Sequence, residues 1–292
     1  MRWEGNAESD NVEDRRDGGG GGGGFGIGGG GLGIGAIVIA LVGGAIFGIN
    51  PMTILGMLSG GGGPAPVQQQ APAHAPPAND EAAKFVSVVL RSTEDVWTQL
   101  FQKAGATYHP PKLVLFRGAI PTGCGQGQAA MGPFYCPADQ KVYIDLGFYD
   151  ILRNRLGAPG EFAQAYVIGH EVGHHVQDEL GITRKVDAQR GRLSEAQANA
   201  LSVRVELQAD CFAGVWGHWS QQSKQWLDPQ DIQSAMNAAA KIGDDALQRS
   251  AGRAVVPESF THGTSAQRQH WFMAGYQSGS VKACDTFGAR EL

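Results

Sequence analysis

The stretch "AYVIGHEVGHHVQDELG", residues 165–181, decides how this chain is read. It gathers His170, Glu171, His174 and His175 between apolar neighbours and ends at Gly181. Phe162, Tyr166, Val172 and Val176 carry the apolar spacing of a helix, and a glycine is a common helix stop. On a helix, His170 and His174 are i and i+4, one turn apart on one face. Two imidazoles placed so can reach one metal ion at about 2.0–2.1 Å. Glu171 is turned about 100° from His170. From there a carboxylate can meet a water at the metal without ligating it, which is where a general base must stand. His175 points away from the pair and reads as structural. Gly169 and Gly173 each lower helix propensity by about 1 kcal/mol relative to Ala. Close approach of another backbone beside the metal is the expected compensation.

H-E-x-x-H also arises by chance, so a third ligand is the test. A metzincin would need glycine at 177 and histidine at 180, where Gln177 and Leu180 stand. Further on, "EAQANALSVRVELQADCFAGVWGHW" (195–219) is strongly helical, with Glu206 and Asp210 again one turn apart. Val205, Leu207, Ala209 and Phe212 predict that this helix is mostly buried, where unpaired carboxylates are costly. Glu206 is the expected third metal ligand. Asp210 is expected to accept a hydrogen bond from the distal nitrogen of a ligating imidazole. The reverse assignment stays open, as does a solvated helix face. His262, in "SFTHGTSAQR" (259–268), sits in a loop before a helix and beside Gly263. It is expected to line the active site and donate to a developing oxyanion. The alternative is a histidine that only caps or packs against that helix.

Around these motifs the chain divides by composition. Its 292 residues carry a net charge of −5 and no Lys/Arg-rich block, which argues against a nucleic-acid partner. More than half of the 44 glycines precede Pro64. Residues 1–31, charged and then glycine-rich, are predicted to be disordered. Residues 32–58 begin with the uncharged run "LGIGAIVIALVGGAIFGI" and are predicted to hold one transmembrane helix, which needs about 20 apolar residues. A cleaved signal peptide and a buried core helix are the other readings. Arg15 and Arg16 precede the run and the first basic residue after it is Lys84, so the N-terminus is expected in the cytoplasm and the remainder outside. Residues 59–80 form a Gly/Pro/Gln linker, and residues 81–292 the folded domain.

Within that domain the apolar spacing predicts a helix over 81–105. Strands are expected at 112–116, 132–136 and 141–146, and later helices at 192–219, 229–242 and 265–278. This is an α+β domain, a small sheet beside several helices. Cys124, Cys136, Cys211 and Cys284 contain no C-x-x-C pair. An even count beyond a membrane segment suggests two disulfides in an oxidising compartment. Of the three possible pairings, Cys124–Cys136 and Cys211–Cys284 are favoured. Four free buried thiols are the alternative.

"HEVGHHVQ", "ELQADCFAG" and "FTHGTSAQR…WF…G" resemble the bacterial putative neutral zinc metallopeptidases across nearly the whole chain. The resemblance implies a glycine-rich N-terminus, one membrane span and a zincin-like, gluzincin-type catalytic domain. It implies zinc on His170, His174 and Glu206, with Glu171 as base. The expectation is a single-pass protein of the bacterial inner membrane whose periplasmic or extracellular domain hydrolyses peptide or protein substrates. The His-bearing helix would lie beneath the sheet, and substrate would add as a strand at an edge, with "KVYIDL" (141–146) that edge or its neighbour. A zinc-binding envelope protein without catalysis, or a tethered scaffold, is the competing class.

Overall fold

The computed structural model describes residues 1–17 and 72–292. The four-stranded sheet runs in the order β1 (Val12–Asp14), β2 (Lys112–Phe116), β6 (Lys141–Asp145), β5 (Phe134–Cys136). β1, β2 and β6 are parallel, and β5 lies antiparallel to β6 at the edge. "KVYIDL" is thus the neighbour of the edge strand. Alternation along the strands separates two faces. Leu113, Leu115, Val142 and Ile144 join the main core with the helices. Val114, Phe116 and Tyr143 face the other way, where a hairpin of β3 (Ala119–Thr122) and β4 (Gly125–Gln128) covers them through Ile120.

Eight α-helices follow among the described residues. They are α1 (Glu81–Lys103), α2 (Gly147–Asn154), α3 (Glu161–Glu179), α4 (Ile182–Arg190), α5 (Glu195–Lys224), α6 (Pro229–Lys241), α7 (Asp244–Ser250) and α8 (Ser265–Ser278). Local chemistry starts several of them. Ser194, Asp228 and Thr264 each form a reciprocal capping box, which satisfies two otherwise orphaned N–H groups. The hairpin, α2, α4 and α7 are absent from the sequence expectations. Both disulfides are the favoured pairs: Cys124–Cys136 ties the hairpin to β5, and Cys211–Cys284 ties α5 to the C-terminal segment.

Disorder does not extend over residues 1–17. β1 pairs with β2 in register Val12↔Leu113 to Asp14↔Leu115. Trp3 is buried edge-on against Phe85, and its Nε1 donates to Glu161 Oε1 at 2.9 Å. Some of the tail's charge is neutralised by groups distant in sequence: Glu13 meets Lys112 and Lys141. A composition argument counts such charges as solvated, because it cannot see partners about a hundred residues away. The end of the expected linker is docked as well. Asp14 and His74 exchange backbone hydrogen bonds at 2.8 and 3.3 Å, and Arg16 pairs with Asp80.

The expected span at 32–58 lies outside the described residues, as do 18–31 and 59–71. Among the described residues no helix is long and apolar enough to cross a membrane. Residues 1–17 are part of the same sheet and core as the 81–292 domain.

Candidate metal centre

The site forms where α3 crosses α5. A Cβ added at Gly173 would lie 2.8 Å from the Ala209 carbonyl oxygen, and one at Gly169 would lie 2.8 Å from the Trp216 ring. Only glycine permits this approach of α3 to α5, and the lost helix propensity is repaid by it. The approach brings His170 and His174 of α3 against Glu206 of α5. His170 Nε2 stands 3.2 Å from His174 Nε2 and 3.1 Å from Glu206 Oε2, and His174 Nε2 lies 3.6 Å from the same oxygen.

This donor set fits zinc. Ligands at about 2.0–2.1 Å around a tetrahedral ion sit roughly 3.3–3.4 Å apart, and the three separations bracket that value. Both histidines turn Nε2 inward, while each Nδ1 is already engaged, His170 by Asp210 at 2.8 Å and His174 by Gln177 at 2.9 Å. The surroundings also favour positive charge here. Burial alone would lower the His170 pKa, but Asp210 and Glu206 outweigh it and push it up to about 10. Burial would raise Glu206, yet His174, His262 and His170 hold it well below the carboxylate range. Glu206 converges with the histidines and Asp210 stands behind His170, so the geometry separates the two carboxylates that the sequence leaves interchangeable.

Asp210 is fully buried and saturated with donors. Arg268 donates through Nε to Oδ2 at 2.8 Å and through a terminal nitrogen to Oδ1 at 2.9 Å, and the Tyr166 hydroxyl donates to Oδ1 as well. Burial raises the Asp210 pKa, but Arg268 and His170 overcome it and bring it to about 2. Arg268 and Tyr166 are missing from the sequence expectations. One signal was available: Arg268 shares the i, i+3, i+4, i+7 face with Trp271, Phe272 and Gly275, a charge on an otherwise buried stripe.

Glu171 is buried beside the triad, and burial pushes its pKa up, only partly offset by His170 and His174. It lines a cleft of about 560 Å³ together with His170, His174, Phe134, Tyr135 and His262. His262 reaches that cleft because Asp244 gathers its loop. The carboxylate accepts from the backbone N–H groups of Thr261, His262 and Gly263 at 2.6–3.0 Å, and from the His262 ring at 3.2 Å. Burial would lower the His262 pKa, but Glu206 and Asp244 raise it overall. The loop is pinned rather than swinging about Gly263. His175 faces away from the triad, bonded to the Tyr135 hydroxyl and the His109 carbonyl.

The family described as "Putative neutral zinc metallopeptidase" matches residues 1–287 of this chain. An uncharacterized protein, YpfJ, of Escherichia coli (strain K12) is 54% identical over 289 residues, 99% of each chain. An uncharacterized protein, Rv2575, of Mycobacterium tuberculosis (strain ATCC 25618 / H37Rv) is 41% identical over 222 residues, 73% of this chain and 74% of its own. No solved structure matches.

Proposed function

The chain belongs to the putative neutral zinc metallopeptidase family, and on that premise we propose that it is a zinc-dependent peptidase with a zincin-like domain of the gluzincin kind. The observation that carries this reading is the buried Glu171 carboxyl, set beside three convergent donors in an open cleft under an edge strand. A purely structural metal site has no use for such a carboxyl. His170, His174 and Glu206 would hold the zinc, with Asp210 and Gln177 fixing the two imidazoles. When bound, zinc supplies Lewis-acid polarisation and makes water a stronger nucleophile at neutral pH.

The chain's own residues do the rest. β5 offers its backbone edge to an extended peptide, so the substrate lies across the cleft as an added strand. Glu171 accepts the proton of the attacking water and later passes it to the departing amine. Its raised pKa brings the acid and base forms closer in energy near neutral pH. His262, held by Asp244, donates to the oxygen on which negative charge develops.

The two disulfides support an oxidising compartment for the domain, and the apolar run 32–58 supports attachment to the bacterial inner membrane. Since residues 1–17 accompany the domain, that attachment leaves both on the exported face.

The decisive experiment is hydrolysis of a peptide library by the full chain. Activity should vanish with a chelator and return with zinc, and Glu171→Gln should retain metal and fold while losing about 10²–10⁴ in rate. Undiminished hydrolysis by the glutamine variant would overturn the assignment of the base.

A further inference from the structure

A neutral imidazole carries one N–H, so a histidine that ligates through Nε2 must keep its proton on Nδ1, and that proton needs an acceptor. His170 has the Asp210 carboxylate for this. His174 has only a neutral amide, Gln177, whose Oε1 lies 2.9 Å from Nδ1. An amide can present either end, and presenting its NH₂ group would force the opposite tautomer and close Nε2 to a metal.

The structure removes that freedom. Gln177 is buried, and its Nε2 stands 2.8 Å from the Val205 carbonyl and 3.1 Å from Gln208 Oε1. A backbone carbonyl only accepts, so the amide nitrogen must face it and Oε1 must face His174. Gln208 is oriented the same way: its Nε2 donates to the Cys284 carbonyl at 2.9 Å, which leaves Oε1 to accept from Gln177. Two amides in series, each anchored on a backbone carbonyl, therefore write the tautomer of His174. The second anchor belongs to a cysteine of the Cys211–Cys284 disulfide.

We propose that Gln177, aimed by Gln208, is the positioning residue that commits His174 to the Nδ1–H tautomer and so to metal binding through Nε2. The metal half of this statement rests on the zinc reading above; the tautomer half does not. Polar groups buried this deeply are costly unless fully paired, and here every pairing leads to the imidazole.

The test uses the full chain and two readouts. Zinc affinity is measured by competition with a chelating dye. The His174 tautomer is read by ¹⁵N NMR of the metal-free protein at pH 8, with the resonance assigned by its loss in His174→Ala. Gln177→Leu should lower zinc affinity about 10–100-fold, as loss of a group supporting a metal ligand does, and should shift His174 toward the Nε2–H form. Gln208→Leu should do the same to a smaller degree. Gln177→Glu keeps an acceptor for Nδ1–H and should stay within a few-fold of wild type. The proposal is overturned if Gln177→Leu lowers only the melting temperature, with affinity and tautomer unchanged, or if Gln177→Glu falls as far as Gln177→Leu. A wild-type chain that binds no zinc but shows the Nδ1–H pattern, lost in Gln177→Leu, would overturn the zinc reading and leave the role of Gln177 standing.

Discussion

The cleft has a floor and a wall, and they are built differently. The floor, His170, Glu171, His174 and Glu206, rides on two helices that touch backbone to backbone at Gly173 and Ala209. The wall at His262 is a loop gathered by Asp244, whose carboxylate collects three backbone N–H groups and the imidazole. On the floor, helix periodicity sets the spacing and close packing sets the depth. At the wall, position depends on charged anchors, Asp244 on the loop and Asp245 at Ser265 where α8 begins. The floor should therefore fail by losing metal or fold, and the wall by losing rate.

The largest effect should come from Glu206→Ala. Removing one of three ligands should abolish stoichiometric zinc binding, seen by metal analysis of the purified chain. Asp210→Asn, behind His170, should weaken affinity only about 10–100-fold. The opposite ranking would make Asp210 the ligand and break the description of the floor.

Next comes Arg268→Met. It strands the fully buried Asp210 without its guanidinium partner, a loss of about 3–5 kcal/mol in chemical denaturation. An unchanged midpoint would show that Asp210 does not depend on this pair.

His262→Ala should lower kcat about 10²-fold with little change in KM. Zinc content should stay at one per chain, because His262 is not one of the three convergent donors. A loss of metal in this variant would erase the distinction between floor and wall.

The smallest effect is expected from Asp244→Asn, and it should depend on pH. Burial raises the Asp244 pKa, but its bonds from His262 and the loop backbone bring it below the ordinary value. Its contribution is thus present above the unfolded carboxyl value of about 3.8 and is lost as pH falls through the folded one. His262 is raised, so its contribution is present below about 6.5 and is lost as pH rises through its folded value. The stability gap between wild type and Asp244→Asn should be widest between those limits and narrow on both sides. A gap independent of pH would mean that the loop is held by packing alone.

Much of the floor was legible because helical spacing is written locally. His170, Glu171 and His174 fall in one turn, and Glu206 and Asp210 in another. The glycines at 169 and 173 announced a close crossing before any partner was visible. The wall gave only a weak signal, a loop histidine next to a glycine. Its anchor, Asp244, lies 18 residues upstream with nothing to mark it. Gln177 stood in plain view at i+3 from His174, but a neutral amide declares no role until its other end has partners. The N-terminal tail was misread for a related reason: Glu13 looks solvated until Lys112 of β2 and Lys141 of β6 are brought beside β1.

The sequence by itself determined the α+β class, the helices that bear the donors and their one-turn spacings. These follow from periodicities of 3.6 and 2 that a chain carries wherever it folds. Only the tertiary structure decided which carboxylate of α5 converges with the histidines, which way each imidazole holds its proton, and that the first residues complete the sheet. Those are contacts between segments far apart in sequence. Their energies come from desolvation and pairing, which no segment carries until its partner is beside it.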